Sequence, residues 1–335
     1  MNPPADHPDI APSRVGVLLI NLGTPNAPEP GAVRLYLKEF LTDPRVIEIP
    51  QLVWRPILHG IILRTRPARS AHAYRQVWTD EGSPLAAITA RQARALAGAF
   101  GDGVIVDYAM RYGKPAIRER IDALKAAGCE RILIAPLYPQ YCAATTATAS
   151  DEAFAHLRGL RWQPAVRTLP PYHDDPFYIH ALKASVEASL ADLDFEPDAL
   201  LASFHGMPQR TLELGDPYHC HCRKTARLLG GALGRDLLVA FQSRFGRAKW
   251  LEPATDSELA ALPGRGVKKL AIVAPGFSAD CLETLEELAI RGRATFLAAG
   301  GTHFAYLPCL NDGPPGMEML RALIGRELEG WASAP

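Results

Sequence analysis

The fold is decided by the stretch Asp198-Ala-Leu-Leu-Ala-Ser-Phe-His205-Gly-Met-Pro208. Its apolar run, residues 199–204, has the length of a buried strand, and Gly206 with Pro208 predicts a turn directly after it. In open sheets of parallel strands, ligands bind in crevices beyond the carboxyl ends of the strands. His205 is therefore a candidate site residue, and the alternative is a loop histidine that binds backbone or water.

A second stretch has the same order of strand, turn and polar residues, Val267-Lys-Lys-Leu-Ala-Ile-Val-Ala-Pro-Gly-Phe-Ser-Ala-Asp280-Cys-Leu-Glu283-Thr-Leu-Glu286-Glu287-Leu288. It predicts a strand over residues 269–274 and a helix from about Asp280, on which Glu283 and Glu287 lie one turn apart on one face. The alternative is a capping box in which Asp280 is the N-cap and Glu283 lies three residues later. Capping accounts for one or two carboxylates but not for the histidine-ended strand, so Glu283 is a second candidate.

Strand and helix patterns alternate along most of the chain, which predicts an α/β fold of two similar doubly wound domains with parallel sheets. The near-continuous apolar run at residues 14–21 is typical of a sheet that is covered on both faces. We assign residues 14–160 and the C-terminal helix, 310–331, to the N-terminal domain. Residues 161–309, which carry His205 and Glu283, form the predicted C-terminal domain.

Several predicted strands end in polar or aromatic residues that are candidates to face one cleft. These residues are Asn21, Arg111, Tyr138, His205, Gln242 and Phe277. The first turn has no GxGxxG motif and the chain has no GxxxxGK[ST] motif, which argues against a dinucleotide or P-loop site.

The composition of the 335-residue chain excludes several classes of protein. The formal net charge is zero and no basic face is evident, so we expect no nucleic-acid partner. No apolar run approaches the roughly 20 residues that span a bilayer, and residues 1–13 lack the pattern of a signal peptide. We therefore expect a cytoplasmic protein; the sequence predicts no oligomeric state.

One apolar stretch, residues 52–63, has two interpretations. It is followed by Arg64, Arg66 and Arg69. It is either a core helix or a hydrophobic lip with a basic margin that contacts a membrane surface. The second interpretation would make the protein peripheral to the inner face of the membrane.

Six motifs, taken in order, resemble the ferrochelatase family of bacterial type over residues 15–324. They are Leu19-Ile-Asn-Leu-Gly-Thr-Pro25, Leu137-Tyr-Pro-Gln-Tyr141, Ser203-Phe-His-Gly-Met-Pro208, Gly215-Asp-Pro-Tyr218, Phe241-Gln-Ser-Arg-Phe-Gly246 and Pro275-Gly-Phe-Ser-Ala-Asp-Cys-Leu-Glu-Thr-Leu285. The resemblance implies an enzyme of haem biosynthesis, a lyase that inserts Fe²⁺ into protoporphyrin IX to give protohaem. It also implies two Rossmann-like domains with a porphyrin cleft between them.

The resemblance further implies roles for individual residues. His205 and Glu283 would be the catalytic pair that handles the pyrrole protons or the Fe²⁺, and Asp280 and Glu287 would continue a proton or metal path to solvent. The residues that match or suit the porphyrin pocket are Asn21, Leu22, Arg111, Tyr112, Tyr138, Trp250 and Phe277.

The chain departs from the family pattern at three positions in or near the predicted site. It has Cys281 where the family often has histidine, Arg291 where some members have an acid, and Leu22 where some have methionine. Arg291 puts a fully acidic channel along this helix in doubt.

The six cysteines do not predict a disulfide framework in a cytoplasmic chain of this size. Cys220 and Cys222 could supply two ligands of a [2Fe–2S] cluster, with Cys281 or Cys309, or could bind a regulatory metal. We favour ordinary thiols because the spacing fits no cluster pattern, and we expect that no cofactor is required.

Other functions remain open at the level of sequence. The chain could be a chelatase for another tetrapyrrole, such as coproporphyrin III or sirohydrochlorin, or for cobalt. It could also be a tetrapyrrole carrier without catalysis, but a carrier would not need both His205 and Glu283.

Overall fold

The computed structural model describes residues 13–246 and 248–332. The prediction that the N-terminus carries no signal peptide falls mainly on residues 1–12, outside the described residues. The strands are β1 (Arg14–Gly23), β2 (Val104–Tyr112), β3 (Cys129–Pro136), β4 (Ala165–Thr168), β5 (Ala199–His205), β6 (Leu237–Gln242), β7 (Lys269–Val273) and β8 (His303–Leu307).

Helices connect these strands. They are α1 (Pro30–Thr42), α2 (Gln51–Ile57), α3 (Leu63–Val77), α4 (Pro84–Leu96), α5 (Ile117–Ala126), α6 (Thr148–Arg158), α7 (Pro176–Ala191), α8 (Gln209–Glu213), α9 (Tyr218–Leu233), α10 (Thr255–Ala261), α11 (Leu282–Thr284), α12 (Arg293–Ala298) and α13 (Pro314–Leu328). Three π-helical segments, Leu58–Ile62, Ala143–Ala147 and Leu285–Gly292, continue into or out of these helices, and Leu262–Arg265 is a 3₁₀ turn. Within the described ranges, no helix is long and apolar enough to cross a bilayer.

The strands form two parallel four-stranded sheets of the same topology. The first has the order β2-β1-β3-β4 and the second has the order β6-β5-β7-β8. Each pair of neighbouring strands is parallel and is connected through helices. The predicted α/β fold with two similar doubly wound sheets is confirmed.

Both sheets are covered on both faces, as the apolar run of β1 predicts. Val17 and Leu19 pack into one core cluster, while Leu18 and Ile20 pack into another on the opposite face. Each of these side chains is fully buried. Because burial of one such side chain stabilises a fold by about 1.5–3 kcal/mol, β1 is a main source of stability.

The two sheets share helices as well as a boundary. Helix α13 packs against α7 and places Leu320, Leu323 and Ile324 in the same cluster as Val17 of the first sheet. The assignment of residues 310–331 to the N-terminal domain agrees with these contacts, but the domain bounds stay a prediction. Strand β4 pairs with β3, so residues 165–168 belong to the first sheet.

Three elements, α3, β4 and α8, are not predicted from the sequence. The apolar run that precedes α3 is read only as far as residue 63. Strand β4 has four residues, none of them buried, and α8 has five residues, none of them buried. Short elements with little burial leave no apolar period to read. The π-helical segments are likewise read as ordinary helix, because apolar spacing does not separate a π-turn from an α-turn.

Candidate active site

His205 lies at the carboxyl end of β5, as predicted, and is half-buried. Its Nδ1 donates to the carbonyl oxygen of Gly206 at 2.7 Å, because a carbonyl can only accept. Its own carbonyl accepts from the Tyr218 hydroxyl at 3.0 Å. With the proton of a neutral ring on Nδ1, the Nε2 lone pair is the group that His205 offers to a ligand.

Gly206 is required where the chain leaves β5. A Cβ atom at this position would lie 2.4 Å from the Gln242 carbonyl oxygen, which the Gly206 amide approaches at 2.7 Å. Only glycine allows the turn after His205 to lie this close to β6.

Glu283 stands at the start of the helical segment that follows β7, and it is half-buried. Its backbone carbonyl accepts from Gln242 Nε2 at 2.8 Å. Because Gln242 is paired with His205 in the β5–β6 ladder, one residue contacts the segments that carry both predicted catalytic groups.

The Glu283 side chain faces the first half of the molecule. Burial raises the pKa of the Tyr74 phenol on α3, and the neighbouring Glu283 charge raises it further. Burial lowers the pKa of the Arg66 guanidinium, and the Glu283 charge opposes that change. The carboxylate of the second half therefore lies opposite basic and phenolic groups of the first half.

Asp280 is not the N-cap of the helix, so the capping-box alternative does not apply to it. The helix begins at Leu282, and the Asp280 carboxylate accepts from the hydroxyl of Tyr306 at 2.6 Å, the amide of Asn311 at 2.7 Å and the hydroxyl of Thr284 at 2.9 Å. Asp280 is buried, so a strand, a loop and a helix meet at one carboxylate. These contacts tie Asp280 into the structure, and its predicted place on a path to solvent stays a prediction.

Glu287 binds the turn at the end of β6. Its carboxylate accepts from the Ser243 amide at 2.8 Å and the Ser243 hydroxyl at 2.6 Å. Ser243 has a positive φ of 65°, a conformation that L-residues rarely adopt, and the two bonds hold it there. Asp280 and Glu287 thus bind different elements, and the structure does not bring their carboxylates to one set of partners.

Arg291 explains why the acidic residues of this segment are not all free. Its Nε lies 2.8 and 2.9 Å from the two oxygens of Glu286, and its guanidinium lies 3.9 Å from Glu287. Glu286 is buried. The sequence gives no sign of its ion pair with Arg291, because the two residues are five apart rather than three or four. Arg291 therefore places a cation beside two acids of this segment, which is consistent with the doubt that the helix carries a fully acidic channel.

The predicted pocket residues of the first sheet are tied into a buried network around Asp43. Arg111 contacts Asp43 at 2.6 Å and Thr148 Oγ1 at 2.7 Å, and the Tyr112 hydroxyl donates to Asp43 at 2.9 Å. Burial raises the pKa of Asp43, but the hydrogen bonds from Thr148, the Arg45 amide and Tyr112 outweigh it and hold this pKa below its ordinary value. The sequence marks Asp43 only as part of a helix stop.

Three other pocket residues lie at the same edge of the first sheet. Asn21 is buried and donates to Thr89 Oγ1 at 3.2 Å, while Leu22 is half-buried. Tyr138 is nine-tenths buried, and among the described residues its hydroxyl has no hydrogen-bond partner. Tyr138 is thus the pocket residue of this edge whose polar atom is left without a partner.

Aromatic residues of the second half form part of the boundary between the halves. The Trp250 indole N–H donates to the Phe245 carbonyl at 3.0 Å, and the two rings are 4.9 Å apart. The Arg66 guanidinium lies 5.2 Å from the centre of the Phe245 ring. Phe277 packs against Leu85 and Ile88 of α4. Phe245 is not among the pocket residues that the sequence predicts.

Comparison with known proteins identifies the family. The sequence profile named Ferrochelatase matches residues 14–328. The chain belongs to the ferrochelatase family.

Individual relatives agree with this assignment. Ferrochelatase of Agrobacterium fabrum strain C58 is 53% identical over 98% of this chain and 97% of its own length. Ferrochelatase of Rhizobium meliloti strain 1021 is 54% identical over 99% of this chain and 100% of its own length. The similarity therefore extends over nearly the whole chain, both sheets included.

Solved structures of other chelatases share the fold of this ferrochelatase family member. SirB from Bacillus subtilis with Fe³⁺ has a TM-score of 0.57 at 12% identity, over 96% of this chain and 100% of that chain. Sirohydrochlorin chelatase SirB from Bacillus subtilis subspecies spizizenii, in complex with cobalt, has a TM-score of 0.55 at 10% identity, over 95% and 96% of the two chains. At these identities the likeness concerns the fold alone.

The cysteines of this ferrochelatase family member do not form a compact cluster site at Cys220 and Cys222. Both lie on α9, where residues two apart point to nearly opposite sides of the helix. Cys220 is exposed and Cys222 is fully buried, so their sulfur atoms cannot bind one ion. Within residues 13–246 and 248–332, no three His, Cys, Asp or Glu side chains are grouped as a metal site.

Proposed function

We propose that this protein is a ferrochelatase that inserts Fe²⁺ into protoporphyrin IX, giving protohaem and releasing two protons. The observation that carries the proposal is the placement of His205, whose Nε2 is left as the acceptor at a sheet edge, next to the segment that carries Glu283. Fe²⁺ is a substrate of this reaction, and imidazole and carboxylate are ligands that it accepts.

The reaction requires that two pyrrole N–H groups lose their protons as the metal binds the four ring nitrogens. Imidazole is a suitable proton acceptor near neutral pH, and we assign the first proton to His205 Nε2 and the second to the Glu283 carboxylate, from which it passes to water. The Glu283 carboxylate carries the opposite charge to the ion and to a protonated imidazole, so it lowers the energy of both.

The pocket residues would bind the porphyrin and exclude water. Trp250 and Phe277 offer apolar ring faces, and Arg66, at the boundary between the halves, is a cation able to pair with a propionate. Because distortion of the macrocycle must come from binding energy, these remote contacts are expected to affect turnover as well as affinity.

The test is anaerobic mixing of the protein with protoporphyrin IX and Fe²⁺, followed by loss of porphyrin fluorescence. We expect turnover in the wild type and a loss of roughly 10²-fold or more in His205→Ala. His303→Ala is the matched control, because His303 begins β8 at the opposite edge of the same sheet and is exposed.

Three results of such assays would contradict the proposal in whole or in part. Full activity in His205→Ala would remove the proposed centre. Tight binding of protoporphyrin without turnover in the wild type would favour a carrier, and activity on coproporphyrin III alone would keep the mechanism and change the substrate.

We further propose that residues 52–63, together with the arginine-rich segment that follows them to residue 77, contact a membrane surface. Trp54, Leu58 and Leu63 are buried, as in a core helix, but Leu52 is 91% exposed and Ile61 is 58% exposed. The same segment contains five arginines and no acidic residue. Apolar side chains with a cationic margin are typical of interfacial binding to anionic lipids.

Flotation with vesicles that contain anionic lipid tests this contact. The double variant Leu52→Glu with Ile61→Glu should lose binding, whereas Leu214→Glu, which alters the exposed leucine directly after α8, should not. Equal flotation of wild type and double variant would count against the proposal.

A further inference from the structure

Gln242 is the buried residue through which the segments of His205 and Glu283 are joined. It is only 2% exposed, and both atoms of its amide are used. Its Nε2 donates to the Glu283 carbonyl at 2.8 Å, and its Oε1 accepts from the Ser203 hydroxyl at 2.7 Å. A buried amide with both ends bonded is held in one orientation, because any rotation would leave a polar atom unpaired.

A second layer fixes this orientation. Because the single Ser203 hydroxyl proton goes to Gln242, Ser203 accepts in turn from the Thr255 hydroxyl, 2.8 Å away. Ser203 is fully buried and Thr255 is 2% exposed. The hydrogen bonds therefore run in one direction, from Thr255 through Ser203 and Gln242 to the Glu283 carbonyl.

The backbone of Gln242 is equally constrained on the side of His205. It pairs with His205 in the β5–β6 ladder, and its carbonyl accepts from the Gly206 amide at 2.7 Å. The next residue, Ser243, donates two hydrogen bonds to the Glu287 carboxylate. The end of β6 is therefore bonded to the turn after His205 and to two residues, Glu283 and Glu287, of the helical segment that begins at Leu282.

The backbone carbonyl of Glu283 lies at a point where a side-chain donor is favourable. Glu283 lies in a three-residue α-helical turn, Leu282–Thr284, that passes directly into the π-helical segment Leu285–Gly292. Changes of helical type disturb the regular ladder of backbone hydrogen bonds, so a carbonyl at the junction gains from a side-chain donor. Gln242 Nε2 is that donor.

We propose that Gln242 is a positioning residue, which sets the place of the Glu283 carboxylate relative to His205 Nε2. The inference rests on the proposed chelatase function of this pair. Gln242 does not exchange protons with the substrate; it acts through the backbone of Glu283. Small displacements of a catalytic group are costly, since misplacement by about 1 Å can lower a rate roughly 10²-fold.

Gln242→Met removes both amide bonds at nearly constant volume. We expect kcat to fall about tenfold or more, while KM for protoporphyrin IX changes less than about threefold, because no porphyrin contact is altered. The matched control is Gln92→Met, which removes an equally buried amide that donates to the Ser278 and Asn311 carbonyls. Its kcat should remain within about threefold of that of the wild type.

Gln242→Glu gives a readout that a purely structural role would not give. The introduced carboxyl can still accept from Ser203, but when ionised it has no donor for the Glu283 carbonyl. When protonated it can donate again. The kcat of this variant relative to that of the wild type should therefore rise as the pH is lowered.

The outcomes distinguish failure of the proposed chelatase function from failure of the positioning role of Gln242. If the wild type does not metallate protoporphyrin, the chelatase function is overturned. If the wild type is active and folded Gln242→Met matches Gln92→Met in kcat, the positioning role alone is overturned. Should Gln242→Met fail to fold, a pH-independent activity ratio for Gln242→Glu overturns the same role.

Discussion

At the carboxyl edge of the first sheet, Arg111 and Tyr112 bind Asp43, whereas at the carboxyl edge of the second sheet His205 Nε2 has no hydrogen-bond partner among the described residues. The two sheets have the same strand order and both edges carry polar side chains. Arg111, Tyr112 and Asp43 satisfy one another inside the protein, so this network of the first edge stabilises the fold. Polar groups of the second edge are oriented by backbone contacts and leave an atom for chemistry.

Exchanging Glu283 for glutamine should have the largest effect on activity and a small effect on stability. We expect kcat to fall roughly 10²- to 10⁴-fold, because the amide can neither carry the negative charge nor accept a proton as a carboxylate does. The free energy of unfolding should change by less than about 1 kcal/mol, since among the described residues Glu283 forms no ion pair. Metallation assays and urea unfolding measure the two quantities. A large loss of stability would mean that Glu283, like Asp43, mainly stabilises the fold.

Asp43→Ala should have the opposite profile and destabilise the fold strongly. The Arg111 and Asp43 side chains are only 13% and 6% exposed, so the variant leaves a buried guanidinium without its partner. Loss of one member of a buried pair costs about 3–5 kcal/mol. Urea unfolding measures this loss, with Asp151→Ala as control.

The control is informative because Asp151 pairs with Arg45 at the surface, where both side chains are about half exposed. Its loss should cost less than about 1 kcal/mol. The pKa of Asp43 is lowered in the folded protein, so its contribution is present above the unfolded pKa of a carboxyl and is lost as pH falls through the folded value. The difference between wild type and Asp43→Ala should therefore shrink in acid, and a constant difference would contradict an ionised Asp43.

Ser243→Ala should have an intermediate effect at the end of β6. It removes the hydroxyl bond to Glu287 and keeps a side chain at a positive φ, for an expected cost of about 1.5–3 kcal/mol. Ser243→Gly loses the same bond but suits the backbone conformation, so it should be less destabilising than Ser243→Ala. Urea unfolding of the two variants tests the order; the reverse order would mean that the backbone at residue 243 is not strained.

The smallest effect on stability is expected from His173. Its ring is stacked against another histidine, whereas His205 Nε2 has no partner among the described residues. The His173 ring stacks on that of His221 at 3.5 Å between centroids, and burial, followed by the His221 charge, lowers the pKa of His173 to about 4. Between the ordinary value of about 6.5 and about 4, the unfolded chain binds a proton that the folded protein does not, so the free energy of unfolding decreases as the pH is lowered through this range. Urea unfolding at several pH values should show a flatter curve for His173→Phe; an equally steep curve would contradict a neutral, enclosed His173.

The sequence predicted the second edge better than the first. The strand that ends at His205 and the glycine turn after it are both readable, because strand length and turn residues are local properties. Asp43 was not recognised as the centre of a network, because its partners Arg111 and Thr148 are 68 and 105 residues away along the chain. The capping alternative for Asp280 fails for a related reason, since a capping pattern is local but the actual partners of Asp280, Tyr306 and Asn311, are not.

The sequence by itself determined the alternation of strands and helices, the parallel sheets and the position of His205 at a strand end, since these depend on the periodicity of neighbouring residues. The tertiary structure decided which polar groups remain available. Arg111 and Asp280 have partners from distant elements that satisfy them, while Gln242 brings the segments of His205 and Glu283 together. Hydrogen bonding in a buried site depends on distances between elements, and only the packing of the two sheets sets those distances.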